Sequence, residues 1–450
     1  RGRSLKAIDM VEWIPTWGRN RIHSMIQHRP DWCVSRQRLW GVPIIAMNCE
    51  SCDQATSTPE LISHVANLME SHPGGADAWY ELSEKELMPQ GFCCQECGNS
   101  ENLKKERDIL DVWFDSGVSS VAVIEKREGL SLPVDLYLEG SDQHRGWFHT
   151  SLLVAMGNRD KAPYKRVLTH GFVVDADGKK LSKSAKNYSP PDQILNKYGA
   201  EMLRLWVASE DYRNDIRFSD EILKRLADSY RKIRNTCRYM LGNLHDFNPT
   251  TDSVDYNQLM EIDQWALTEL NGVIQKVRDG YANYEFHSMA HVLSRFCTVE
   301  LSAFYFDILK DRLYTEVKEG KVRRAAQTVL YQLLTTVAQL LAPTLSFTAE
   351  EVWESIPNRK EKASSVFLTD FPTIQEEWQN KTLRERWDRF FKMRLVVTKA
   401  LEIARQEKLI GNSLGARLDL EVTQDQQTFL ESFGDGLADL FIVSQVHFGK

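Results

Sequence analysis

The sequence lacks any apolar run that reads as a bilayer span. Its best candidate, Val329 to Phe347, is broken by Gln332, Thr335, Thr336 and Gln339 and has the spacing of an amphipathic helix. It also lacks an excess of basic charge. Lys and Arg number 56 against 63 Asp and Glu, a formal net charge of -7, so no global cationic field marks a non-specific DNA binder. A basic face on one domain remains open. Cysteine is sparse: of eight in all, four stand in Cys-x-x-Cys pairs. That pattern points to metal binding in a reducing compartment rather than to a disulfide framework. No internal repeat, low-complexity tract or signal-peptide pattern is visible. What remains is an ordinary globular composition, 42% hydrophobic and 26% charged, and 450 residues suffice for two to three domains with proper cores. The chain opens at Arg1 in mid-pattern and is expected to be a fragment of a longer polypeptide.

Patterning divides the chain. Residues 1–30 are mixed, with a short helix expected around Gly18 to Gln27. Val134 to Leu138 alternates like a strand, Trp147 to Met156 reads as a helix, and Arg166 to Val174 as a second strand. Asp175-Ala176-Asp177-Gly178 is a turn, and Pro190-Pro191-Asp192 opens a helix that Gly199 ends. This strand–helix–strand order predicts a parallel α/β sheet with ligands at the carboxyl ends of its strands. From about Ser219, helical spacing recurs over Ile222–Leu241, Gln264–Arg278, His287–Leu309, Val322–Leu341 and Ala349–Trp353, which predicts a helix bundle. A helix from Trp387 to about Glu407, then strands at Leu418–Val422 and Phe441–Val446, predict an α+β tail.

Four groups of residues carry chemistry. Gly178-Lys179-Lys180-Leu181-Ser182-Lys183-Ser184 offers closely spaced ammonium groups on a small-residue loop; alone it reads as a solvated basic loop. After a strand, and downstream of the other motifs, Lys180 and Lys183 suit a polyphosphate whose charge rises in a transition state. Glu139, Asp142 and Gln143 follow the first strand and suit a substrate ammonium, although Ser141 or Asp142 could instead cap the next helix. Trp113 and Trp147 could wall an aliphatic slot or simply pack in the core. His170-Gly171 could admit a flat ring to the backbone, or be a core histidine beside a strand glycine.

Cys49-x-x-Cys52 and Cys94-x-x-Cys97 have the spacing of a closed structural zinc site, with Cys93 spare. The insertion that carries them, residues 48–106, is polar enough that a metal is expected to replace a core. Cys33, Cys237 and Cys297 read as core residues. Arg213 to Arg238 interleaves basic and aromatic residues and could follow an RNA backbone, or be a solvated helix face with ion pairs to Asp215, Asp220, Glu221 and Asp228.

Several of these stretches resemble one family. Asp31-Trp32-Cys33-Val34-Ser35-Arg36-Gln37-Arg38-Leu39-Trp40-Gly41, Asp111 to Gly117, Leu138 to Phe148, Lys180 to Ser184 and Arg231 to Thr236 are similar to motifs of class I aminoacyl-tRNA synthetases of the bacterial isoleucyl type. The resemblance covers essentially the whole chain. It implies an α/β unit followed by an all-α one. Residues 31–218 would be the second half of a Rossmann-like catalytic domain with a zinc-ribbon insertion at 48–106. Residues 219–375 would be an anticodon-binding helix bundle, 376–450 a small α+β junction, and 1–30 the return segment of an editing insertion.

By the same resemblance, Lys180 and Lys183 would act on the ATP phosphates, and His170 and Gly171 would lie near adenine. Glu139, Gly140, Asp142, Gln143, Trp113 and Trp147 would contact the isoleucyl-adenylate, and Cys49, Cys52, Cys94 and Cys97 would bind Zn²⁺. ATP with Mg²⁺, L-isoleucine and tRNA-Ile would be its partners, in a cytoplasmic monomer completed by the N-terminal half of the same enzyme. Leu181 stands where the family usually has Met, Ala185-Lys186-Asn187 replaces Leu-Gly-Asn, and the His-Ile-Gly-His signature is absent. A non-catalytic tRNA-binding protein and a valyl-type enzyme are the alternatives.

Overall fold

The computed structural model describes residues 1–181, 190–357 and 362–449. Parallel strands Glu12–Ile14, Arg166–His170 and Tyr137–Gly140 lie side by side in that order. Glu139 is opposite Thr169 and Gly140 opposite His170, so the carboxyl ends of two neighbouring strands finish level. The connection between them is the helix Trp147–Arg159, which makes the expected strand–helix–strand unit. Phe148, Leu152 and Met156, spaced by one helical turn, are buried with Tyr137, Tyr164 and Val167 of the sheet side. The helices Gly2–Asp9 and Trp17–Gln27 close the same core through Ile8, Ile22 and Ile26. The first thirty residues therefore share this sheet and core, through a three-residue strand too short to leave an alternating pattern.

Two compact units result: Arg1–Phe172 with Arg213–Asp215, and Val173–Tyr212 with Ile216–Lys450.

Within the first unit, Met47–Cys49 pairs antiparallel with Gln54–Thr56 on one side and Leu103–Lys105 on the other. The expectation that this insertion has no core of its own is corrected by the structure. Met47, Leu61, Val65, Trp79, Leu87 and Leu103 are buried together, and the Trp79 indole donates to the Glu106 carbonyl at 2.8 Å. These residues are scattered over almost sixty positions, so no local stretch looks apolar.

In the second unit the helices Asp220–Asn243, Glu261–Ala282, Lys321–Leu341 and Ser346–Ser355 fall where periodicity placed them. The predicted His287–Leu309 helix is longer and not uniform. It begins at Phe286, widens to a π-helix over Phe296–Tyr305, and continues as Phe306–Tyr314. Val329, Leu330, Leu333, Leu334, Val337 and Leu340 are all fully buried. Lys321–Leu341 is thus a central helix rather than an amphipathic one.

In the tail, Arg417–Leu420 pairs parallel with Gln445–Phe448. Phe441 ends a helix, Leu437–Phe441, and Ile442 is left-handed at φ +59°, so the expected Phe441–Val446 strand starts four residues late.

Candidate functional site

Three of the sequence motifs converge in the first unit. Asp111 caps the helix Val112–Gly117 by accepting from the Trp113 amide at 3.1 Å. It also accepts from the Trp32 indole at 3.0 Å and from Arg36 at 2.6 Å. Burial opposes its charge, but these donors outweigh it and hold the carboxyl below the usual range. Asp111 therefore ties the Asp31–Gly41 segment to the one carrying Trp113.

Trp113 then meets the third motif. A methyl group on Gly146 would sit 2.7 Å from the Trp113 ring and 2.5 Å from Gln143 Oε1, so only glycine fits beneath that indole.

At the strand ends, Glu139 and Asp142 are exposed and Gly140 is buried. A methyl on Gly140 would lie 2.8 Å from Asp142 Oδ1 and 3.5 Å from the His170 ring. The strand register thus brings Glu139, Gly140, Asp142 and His170 together at the carboxyl edge. His170 Nδ1 lies 2.7 Å from the Gly171 carbonyl oxygen. Gly171 packs directly on the backbone of Asn214 and Asp215, with no room for any side chain, and Asp215 accepts from the Phe172 amide at 2.8 Å.

Two expected contributors have structural work here. Gln143 Oε1 accepts from the Trp147 amide at 2.9 Å, so Gln143, not Ser141 or Asp142, satisfies the start of the helix. Trp147 stacks on Tyr137 at 4.0 Å and donates to the Ser116 carbonyl and the Ser119 hydroxyl. Trp147 is half-buried, while Trp113 is 42% exposed.

Lys180 belongs to the second unit. Asp175 Oδ1 accepts from the amides of Asp177 and Lys179, and Gly178 is left-handed at φ +82°, which closes the predicted turn. Lys180 returns as an antiparallel bridge to Val174. Lys183 lies outside the described residues.

The cysteine motif is assembled. Sγ atoms of Cys49, Cys52, Cys94 and Cys97 all lie within 4.8 Å of one another, with Cys49–Cys97 and Cys52–Cys94 each at 3.6 Å. Four sulfurs around zinc at about 2.3 Å would be separated by about 3.8 Å, close to what is seen. The two halves are built alike. Asp53 and Gly98, each following the second cysteine of a pair, are left-handed at φ +58° and +72°. Their amides donate to the carbonyls of Cys49 at 2.8 Å and Cys94 at 2.9 Å.

Backbone amides of Cys97 and Glu96 draw the Cys94 thiol down to about 6. Burial and the neighbouring sulfurs push Cys52 up to about 12. That crowding of potential thiolates is what a bound dication would relieve. Cys93 is exposed and outside the cluster. Cys237 and Cys297 are buried as expected, but Cys33 is exposed, with its thiol 3.4 Å from the Ser35 hydroxyl, so its reading as a core residue is corrected.

Along the basic stretch, Arg231 pairs with Asp228, Lys224 with Asp220 and Arg234 with Glu351. These pairs fit the solvated-face reading.

Sequence reasoning missed His144 and His149. His144 is fully buried against Trp13, Trp17 and Phe148, and burial pushes it down to about 4. His149 shares the buried stripe of Phe148, Leu152 and Met156, a position its helical spacing could have revealed.

This sheet, with substrate-type groups at its carboxyl edge and a helix bundle downstream, defines a class that comparison identifies. Residues 1–219 match the family described as tRNA synthetases class I (I, L, M and V), and residues 263–421 match the anticodon-binding domain of tRNA ligase. The chain thus carries a class I tRNA synthetase domain followed by an anticodon-binding domain. Within that class it is 53% identical over 446 residues to the isoleucine--tRNA ligase of Geobacter sulfurreducens, covering 99% of this chain and 48% of that protein. It is 52% identical over 447 residues to that of Syntrophotalea carbinolica, with the same coverage of each. The chain thus spans about half the length of these curated relatives. The solved Mycobacterium tuberculosis methionyl-tRNA synthetase bound by methionyl-adenylate shares the fold at TM-score 0.57 and 15% identity, over 84% of this chain and 67% of that one. Among the described residues, no helix is long and apolar enough to cross a membrane.

Proposed function

We propose that this chain supplies the amino-acid pocket and the anticodon-binding part of an isoleucine--tRNA ligase. Such an enzyme activates L-isoleucine with ATP and Mg²⁺ to an adenylate, then transfers it to tRNA-Ile. The observation that carries this reading is the 53% identity along 99% of the chain, joined to the motifs' convergence at the strand ends.

Glu139 and Asp142 would hold the substrate ammonium, the exposed Trp113 face would wall the aliphatic side chain, and His170 and Gly171 would border adenine. Gly140 would let the substrate approach, and Gln143 and Trp147 would position this edge through the helix they anchor. Lys180 and Lys183 would stabilise charge on the departing pyrophosphate. Cys49, Cys52, Cys94 and Cys97 would hold a structural Zn²⁺, since their donor set closes a tetrahedron with no open position. The enzyme would work in the cytoplasm as a monomer, together with the remaining part of the relatives' length.

The test is isoleucine-dependent ATP–pyrophosphate exchange, with and without a supplied polypeptide bearing the His-Ile-Gly-His signature. Exchange restored by that polypeptide and preferring isoleucine is expected. Silence in both with folded protein would favour a tRNA-binding role alone, and preference for valine would favour the valyl type.

A further inference from the structure

A cavity in the first unit lies apart from the strand-end residues assigned above and touches their motif only through Arg145. It has a volume of about 420 Å³ and is lined by Ser24, Met25, His28, Arg29, Arg145 and His149, together with Pro30. No carboxylate is among its lining residues. His149 is 3% exposed, yet neither ring nitrogen has a hydrogen-bond partner among the described residues. The Nε of Arg29 is likewise buried without an acceptor.

Folded proteins leave few buried donors unanswered, and those they do leave call for a ligand or an ordered solvent group. The Arg29 guanidinium is held in place over the Trp32 ring at 5.2 Å. Its charge reaches the His149 imidazole, which burial and then Arg29 push down to about 4. Arg145, in the turn before the helix that carries His149, is exposed and has no ion-pair partner among the described residues. Cations and N–H donors therefore meet at one place from two separate stretches of chain. The Asp111 carboxylate acts on Arg29 from outside the lining and bonds to Trp32 and Arg36, which leaves the cavity itself without an anion. Guanidinium groups match the geometry of oxyanions such as phosphate, whose several oxygens can accept from more than one of them at once, and a neutral imidazole can add one N–H.

We infer that this cavity binds a phosphate-type oxyanion, gripped by Arg29, Arg145 and His149. The inference needs neither step of the activity proposed above, and its test reads binding rather than catalysis.

Inorganic phosphate is titrated into the whole 450-residue chain at fixed ionic strength, and its ³¹P line width is followed. Saturable broadening is expected for the unaltered protein. Arg145→Gln should weaken it about tenfold, as loss of a charge-assisted contact does. His149→Gln should weaken it too, whereas Lys104→Gln, at an exposed lysine of the cysteine-bearing insertion, should leave it unchanged. Arg145 is exposed, so that variant keeps the fold even if His149→Gln does not, and a melting curve checks both. Broadening that never saturates, or that Lys104→Gln weakens as much as Arg145→Gln, overturns the site.

Adding tRNA identifies the source of the phosphate. Displacement of the small anion, with the salt slope of tRNA binding lowered by about one in Arg145→Gln, assigns the site to the RNA backbone. Retention of inorganic phosphate beside bound tRNA assigns it to a free anion.

Discussion

Both units leave some buried polar atoms without a partner, but they differ in the kind of polar group they bury. In the helical unit two buried carboxylates are met by arginines, although Arg312 Nε and Glu300 Oε2 have no hydrogen-bond partner among the described residues. Asp263 accepts from Tyr305 at 2.6 Å and from both terminal nitrogens of Arg312 at 2.9 and 2.7 Å. Asp246 accepts from Arg323 at 2.8 Å and from Gln327 at 2.8 Å. In the first unit, both ring nitrogens of the buried His149 and Nε2 of the buried His144 have no partner among the described residues, and Glu139, Asp142 and Trp113 stand open at the strand ends. Closed networks fix helix register; open groups wait for ligands. The lesson is that paired carboxylates hold the helical unit together, while the first unit buries neutral imidazoles and leaves its strand-end carboxylates exposed.

Metal removal should sharpen that comparison most. Four thiols within 4.8 Å form a close-set potential charge cluster that a bound dication would neutralise. Structural zinc sites contribute on the order of 10 kcal/mol to folding. Chelation should release one zinc per chain and abolish amide-exchange protection across residues 47–105. Protection that survives chelation, or protein prepared without zinc and fully protected, would break the claim.

Opening a closed charge comes next. Asp263→Ala leaves the Arg312 guanidinium buried and unpaired, which should cost the helical unit about 3–5 kcal/mol in urea unfolding. Asp263→Leu combined with Arg312→Met should recover most of that loss. A single variant as stable as the parent would show that the network is not closed.

Acid should separate the units. His144 and His149 have folded values near 4, below the ordinary value of about 6.5. As pH falls through 6.5 the unfolded chain takes up these protons and the folded unit does not. Stability is therefore lost between about 6.5 and 4, up to about 3 kcal/mol for each histidine, and levels off below that. Asp246 goes the other way: hydrogen bonding from Arg323, above all, holds its carboxyl well below the carboxylate range. Its contribution is present above about 4 and is lost only as pH falls further. Amide exchange at pH 5 should show the first unit opening before the helical one. The reverse order would contradict the comparison.

The smallest effect divides neighbours in one motif. Gln143→Ala removes a partner of the helix start and should cost about 1 kcal/mol of stability. Glu139→Ala, at an exposed strand end, should leave the melting temperature unchanged. Equal destabilisation by both would remove the distinction between positioning and ligand-facing groups.

Much of this was legible before the structure. The strand–turn–helix order around Leu138–Phe148, the cysteine tetrad and the helix spans are all set by local spacing, which sequence displays directly. What stayed hidden depends on distant partners. Glu12–Ile14 is a strand only because Arg166–Leu168 lies beside it. The insertion's core gathers Met47, Trp79 and Leu103 from separate segments. The bond from the Trp147 amide to the Gln143 oxygen was hidden too, because nothing local in the sequence sets it. Cys33 looked buried because Trp32 and Val34 flank it, yet its thiol faces outward.

The central claim, that the strand-end carboxylate of Glu139 receives an aminoacyl ammonium, is tested most directly by calorimetry. A non-hydrolysable isoleucyl-adenylate analogue is titrated into the chain and into Glu139→Gln, each with the complementary polypeptide supplied. Binding that falls at least about tenfold in the variant, with melting unchanged, is predicted. Equal affinity in the two proteins would contradict it.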